Sequence, residues 1–151
     1  MRRGLLILGI VAAMMVVFSP VQVAAAGVSC HSIDATGVGQ DLGGGNTTAQ
    51  VSDGGLLQGT TVGSFSISGF PPVVGIAGTV TFTTNKGTLT VGAAGSFNVF
   101  TGDFSASGPV IGATGKLAGA TGSLSFAGNE NLLTGNFTET ITGSICVDLS
   151  K

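Results

Sequence analysis

Apolar and polar residues alternate with a period of two through most of this chain, in short runs bounded by Gly, Asn or Pro. Phe65 and Ile67 alternate with serines over 64–68, and Val80 and Phe82 alternate with threonines over 79–83. Leu89 and Val91 continue the pattern over 88–91, Phe97 and Val99 form another apolar face, and Leu124 and Phe126 alternate with Ser123 and Ser125. The longest case is 136–147, with Phe137, Ile141, Ile145 and Val147 on one side and Thr138, Thr140 and Thr142 on the other. Aromatic and β-branched residues at this spacing suit a half-buried pleated surface, so each run predicts a strand. No window beyond residue 26 keeps apolar residues at helical spacing over a useful length.

Turn chemistry divides the runs. The chain is organised around 111–128, where a seven-residue unit occurs in tandem, GATGKLA at 112–118 and GATGSLS at 119–125. Its glycines supply positive φ where the chain must bend sharply, and the second copy leads into the strand of Leu124 and Phe126. Asn85-Lys86-Gly87 predicts a hairpin turn. Pro71-Pro72 ends a strand, because proline cannot donate to a ladder. Gly128-Asn129-Glu130-Asn131 reads as another hairpin tip. Between residues 34 and 55 the alternation weakens. Gly37-Val-Gly39 and Gly43-Gly44-Gly45-Asn46 there predict a mobile loop around one strand at 47–52.

Seven or eight short strands with one apolar face each, joined mainly by hairpins, predict an all-β fold with an antiparallel sheet. Closure into a single antiparallel β-barrel buries the apolar face and removes exposed edges, so a barrel over 27–151 is the expectation. A two-sheet β-sandwich is the runner-up. A solenoid ranks third, because the glycine spacing is not regular over the whole chain.

The N-terminal segment 1–26 reads as a signal peptide: Arg2 and Arg3, an uncharged apolar run, then small residues at Val23-Ala24-Ala25-Ala26. The apolar run falls short of the ~20 residues that span a bilayer, so no stable membrane span is expected after cleavage. The chain is therefore read as secreted or periplasmic. All but two of the 27 glycines lie beyond the signal, and the remaining chain has no Arg, Trp or Tyr. Three lysines face seven carboxylates there, a side-chain charge of −4, which argues against nucleic acid as a partner. Cys30 and Cys146 lie near opposite ends of that chain and are expected to form a disulfide in an oxidising compartment.

The run Ile111-Gly-Ala-Thr-Gly-Lys-Leu-Ala-Gly-Ala-Thr-Gly-Ser-Leu-Ser, followed by a hairpin and a last strand ending Gly143-Ser-Ile-Cys146, resembles bacterial secreted barrels. These are similar to the calycin-like allene oxide cyclase and dirigent group, whose chains carry a comparable GGTGxFxxAxG turn before a late strand. The resemblance spans roughly residues 95–147. It implies a barrel fold, and with it a cyclase or stereo-directing activity on a ligand held inside. This chain departs from the pattern at Ala113, where a second glycine is common, and at Leu117, where Phe is usual. The charged and phenolic cavity groups of that group have no counterpart in a mature chain without Arg or Tyr, so no catalytic residue is carried over.

Among candidate sites, Gly115-Lys116 fails as a phosphate loop. Val110 stands where the leading glycine belongs, and Leu117 where Ser or Thr would hold magnesium. The segment 37–43 is a single glycine-aspartate copy without further carboxylates at calcium-ligand spacing, and reads as a solvated loop. His31 is the sole histidine; neighbouring strand residues point to opposite faces, so it diverges from Cys30 and reads as an exposed or edge residue. No metal and no cofactor are expected. Asn46 and Asn136 stand in glycosylation-acceptor patterns. Glu130, in the predicted hairpin tip, reads as a solubilising charge.

Glu139 is the most informative polar residue. It shares parity with Phe137 and Ile141, which turns it inward unless a bulge near Gly135 shifts the register or the position lies at a wet rim. The expected function is a secreted, non-enzymatic barrel holding a small apolar ligand, with Glu139, Phe137, Phe126, Phe97 and Phe82 as the ligand-lining residues. A cyclase or dirigent-like protein and a structural or surface-interaction protein are the alternatives. A cavity of a few hundred cubic ångströms would favour the first two, and a solid interior the third.

Overall fold

A computed structural model describes residues 27–150, and eight strands make up most of them. These are β1 (Ser29–Gly43), β2 (Asn46–Ser52), β3 (Gly59–Ser68), β4 (Val73–Thr84), β5 (Gly87–Asn98), β6 (Asp103–Ala113), β7 (Thr121–Glu130) and β8 (Asn136–Val147). Each pairs antiparallel with the next, and β1 also pairs with β8, so the sheet closes into a barrel in sequence order. That closing ladder runs from Ser29↔Val147 to Gln40↔Asn136 without a register shift, which excludes the open sandwich. The proposed signal segment lies outside the described residues.

Cys30 and Cys146 stand directly opposite each other on β1 and β8 and form a disulfide. Both have the outward parity, since Ile33 and Ala35 on β1 and Ile145 and Val147 on β8 are the buried residues. The bond thus staples the closing seam from outside. It joins residues 116 apart in sequence.

The region from 34 to 55 differs from the expected mobile loop. β1 runs unbroken through Gly37 and Gly39, and its burial alternates. The alternation is hidden in the sequence because glycine occupies inward positions whose space belongs to the partner strand. A Cβ on Gly37 would lie 2.6 Å from Glu139 Oε1, and one on Gly39 would collide with the Phe137 ring. Only Gly43, Gly44 and Gly45 form the turn, all with positive φ. Smaller corrections concern strand ends. β7 continues to Glu130, so the tip of that hairpin lies beyond the expected one, and Val99 falls past the end of β5.

The two barrel ends are built differently. At one end the chain crosses between strands through 3₁₀ turns at Gly55–Leu57 and Gly115–Leu117, each entered through a glycine with positive φ. Leu57 and Leu117 come from these turns, are fully buried, and plug that end. The tandem GATGKLA unit therefore positions a plug residue as well as a turn. Above the plugs the interior is filled by Ile33, Leu89, Val91, Leu124, Ile141 and Ile145, capped by Phe82 stacked on Phe126 at 6.2 Å between ring centres. The other end has only hairpin loops: β1–β2, β3–β4, β5–β6 and β7–β8.

Candidate functional site

Side chains of inward parity stop filling the barrel above the Phe82–Phe126 pair. A cavity of about 120 Å³ opens there toward the hairpin end. Five phenylalanines contribute its apolar wall: Phe65, Phe97, Phe104, Phe126 and Phe137, with Ile67, Ile76, Val80 and Ala106 between them. Phe104 and Phe137 meet edge to face, with ring centres 5.8 Å apart and planes at 87°. Glycines on neighbouring strands make room for these rings, since a Cβ on Gly128 would lie 2.6 Å from the Phe104 ring. An eight-stranded barrel has an interior just wide enough to be filled by side chains or to hold one small ligand. In this chain the plugged half takes the first course and the open half leaves room for the second.

Three carboxylates line the same cavity: Glu139 on β8, Asp41 near the end of β1 and Glu130 at the end of β7. Glu139 follows its strand parity. The ladders on both sides of β8 hold register past it, so neither the bulge nor the register shift occurs. Its cross-strand neighbours are glycines on both sides, Gly37 on β1 and Gly128 on β7. The sequence thus leaves Glu139 a slot walled by backbone, and no hydrogen bond or ion pair to its carboxylate exists among the described residues. Burial pushes its pKa from 4.5 up to about 7. Glu130 is also shifted upward, first by partial burial and then by repulsion from Asp41. The Asp41 carboxylate accepts a hydrogen bond from the Gly43 amide at 2.8 Å. Just outside, Asp103 accepts from Thr101 Oγ1 (2.7 Å) and Asn129 Nδ2 (2.8 Å), which hold its pKa down. Lys86 and Lys116 lie in connections at the plugged end.

The loops of the open end carry large apolar residues into solvent. Leu42 lies at the β1–β2 turn, Phe70 in the β3–β4 loop, Phe100 in the β5–β6 turn and Leu133 in the β7–β8 turn. Phe70 and Leu133 are 89% and 96% exposed, so they contribute nothing to the core. Single exposed apolar residues are ordinary on protein surfaces. At least one at each of four connections around a single opening gives that opening an apolar collar.

Of the residues expected to line a ligand space, Glu139, Phe137, Phe126 and Phe97 lie on the wall of this cavity. Phe82 does not; it is fully buried beneath, forming the floor with Phe126. The alternation pointed to Phe65 as inward, but its place at the open end needed the topology. Phe104 and Asp41 were hidden by glycine and serine neighbours, and Glu130 lines the cavity rather than serving only as a surface charge. His31 is half-buried on β1 near the plugged end, with Nε2 2.9 Å from Ser29 Oγ. Among the described residues no group of three His, Cys, Asp or Glu side chains is placed to hold a metal ion, and no helix is long and apolar enough to cross a membrane.

The fold and this opening define a small plugged β-barrel with an apolar, acid-lined cavity at one end. The structure is similar to that of a pterocarpan synthase dirigent protein, with a TM-score of 0.36 and 13% sequence identity, over 90% of this chain and 99% of that one. No family model matches the chain, and no curated protein matches it in sequence.

Proposed function

We propose that the protein is a secreted barrel that carries a small apolar ligand in its open end and performs no chemistry on it. The observation that carries this reading is the phenylalanine-lined cavity ending in an apolar collar. At about 120 Å³ the cavity is smaller than the few hundred cubic ångströms named above as favouring a ligand, though the interior is not solid. An apolar cavity of about 150 Å³ accepts benzene in another protein, so the matching ligand is ring-sized, with any further bulk lying between the loop tips. Leu42, Phe70, Phe100 and Leu133 then cover the part of the ligand that the barrel leaves outside. The disulfide supports an oxidising, extracytoplasmic setting.

One observation favours a second reading, a cyclase or dirigent-like protein. Glu139 is a cavity carboxyl group whose pKa of about 7 suits proton transfer at neutral pH. Native mass spectrometry of protein purified from its own source separates these readings from a purely structural role. The expected result is a co-purifying mass of a small molecule that is lost on unfolding. Protein that always carries its bare mass, and takes up no small aromatic compound when offered one, refutes the carrier reading. Turnover of a co-purified compound by the wild type but not by Glu139→Gln would replace it with the second.

A further inference from the structure

The chemistry of the cavity wall narrows the ligand class, an inference that rests on reading the open end as an apolar ligand site. Every aromatic group there is phenylalanine, whose ring presents a negative face without a competing hydroxyl or indole donor. The charged groups are all carboxylates. Glu139 from β8 lies deeper on the same wall, Asp41 on β1 and Glu130 on β7 line it nearer the hairpin end, and β2 and β3 add only the hydroxyls of Thr47 and Thr61. No cation among the described residues faces the space; Lys86 and Lys116 are at the plugged end. A low-dielectric pocket with carboxylates, aromatic faces and no internal countercharge has a negative potential that a ligand must complement. We propose that the cavity takes an alkylammonium ligand, a ring-sized apolar body bearing a protonated or quaternary nitrogen, with the nitrogen among the Phe faces toward Glu139 and the carboxylates of Glu130 and Asp41 adding to the negative potential nearer the mouth.

Three features favour this class over others. Aromatic faces around a cation add attraction, and such cages are a known means of holding quaternary ammonium groups. A divalent metal needs convergent oxygens, and the carboxylates are not grouped closely enough to chelate one. An anionic ligand would meet the potential of three carboxylates, and a neutral one supplies no charge to balance the ionised form of Glu139. A cation beside Glu139 favours its ionised form, so binding near neutral pH releases a proton. A carrier of purely neutral ligands would show no such release.

Calorimetric titration of the purified protein with three probes of one size tests this: phenethylamine, phenethyl alcohol and phenylacetate. At about pH 8 phenethylamine is expected to bind at least about tenfold more tightly than the alcohol, from one charge-assisted contact, and phenylacetate most weakly. Near pH 7, where Glu139 is partly protonated, titrations in buffers of different ionisation enthalpy should show proton release on amine binding only. Glu139→Gln should lower the affinity for the amine more than that for the alcohol. If that variant is poorly folded, the wild type gives the same reading, because the amine's advantage must narrow as Glu139 gains its proton toward about pH 6. Equal affinities for amine and alcohol, or an advantage that does not change with pH, would overturn the alkylammonium assignment while leaving an apolar site. No binding of any probe would overturn the apolar site itself.

Discussion

Replacing Glu139 by glutamine should stabilise the unliganded protein, and the size of the effect follows from where the carboxylate sits. The side chain is held between Gly37 and Gly128 with no hydrogen-bond partner, and burial raises its pKa from 4.5 to about 7. The folded state therefore holds a proton over a pH range in which the unfolded chain has released it. Where the folded state binds more protons, stability falls as pH rises. The contribution is thus fully present below about pH 4.5 and is lost as pH rises through about 7. A displacement of that size corresponds to about 3 kcal/mol between the two limits, an order-of-magnitude figure. Glutamine keeps the shape and removes the ionisation. At about pH 8 Glu139→Gln should be more stable than the wild type by roughly 2–3 kcal/mol, or roughly 10 °C in melting temperature for a domain of this size. The two proteins should converge near pH 5. Urea unfolding at a series of pH values, with the disulfide intact, measures both curves. Glu130 is shifted in the same direction, so a shallower slope should remain in the variant. Asp103 is shifted downward and acts only at lower pH. Parallel curves for wild type and variant, or a less stable variant at pH 8, would show that the carboxylate is well solvated or has a partner. The account of the cavity would then be wrong.

Other consequences are read more simply. Gly37→Ala places a methyl group 2.6 Å from Glu139 Oε1 and 2.7 Å from its Cγ, so it should cost about 1–2 kcal/mol, and less in a Glu139→Ala background; a double-mutant cycle measures the coupling. Leu117→Ala removes a fully buried plug and should cost about 2–5 kcal/mol by chemical denaturation, with Leu57→Ala behaving alike; a loss below ~1 kcal/mol would mean that the plugged end is not closed by these residues. Replacing Cys30 and Cys146 by serine opens a loop of 116 residues and should cost about 4–5 kcal/mol in the chain-entropy account, seen as a lower denaturant midpoint. Phe70→Ser with Leu133→Ser should leave stability within about 0.5 kcal/mol, since both side chains are solvent-exposed, while slowing the association of an apolar probe in stopped-flow mixing.

What the sequence determined by itself was the kind of element and the face each one buries. Period-two alternation reached from Phe65 to Val147, and the turns at Asn85-Lys86-Gly87 and in the tandem GATG unit came with it, though not the tip of the last hairpin. The pairing of Cys30 with Cys146 also followed from the cysteine count and the expected compartment. β1 escaped notice for a physical reason: where a partner's side chain fills the interior, the inward residue is glycine, and glycine has no hydropathy to alternate. Gly37 is legible as an inward position only once Glu139 is seen to occupy its space. The parity of Glu139 was readable along its own strand, but the glycines that flank it come from β1 and β7, far away in sequence. Tertiary structure likewise decided which end is open. Two leucines delivered by 3₁₀ turns seal one mouth, and the strand registers bring five rings and three carboxylates together at the other. Alternation is local and survives in one dimension. A cavity is a relation among strands, and it exists only when the sheet closes.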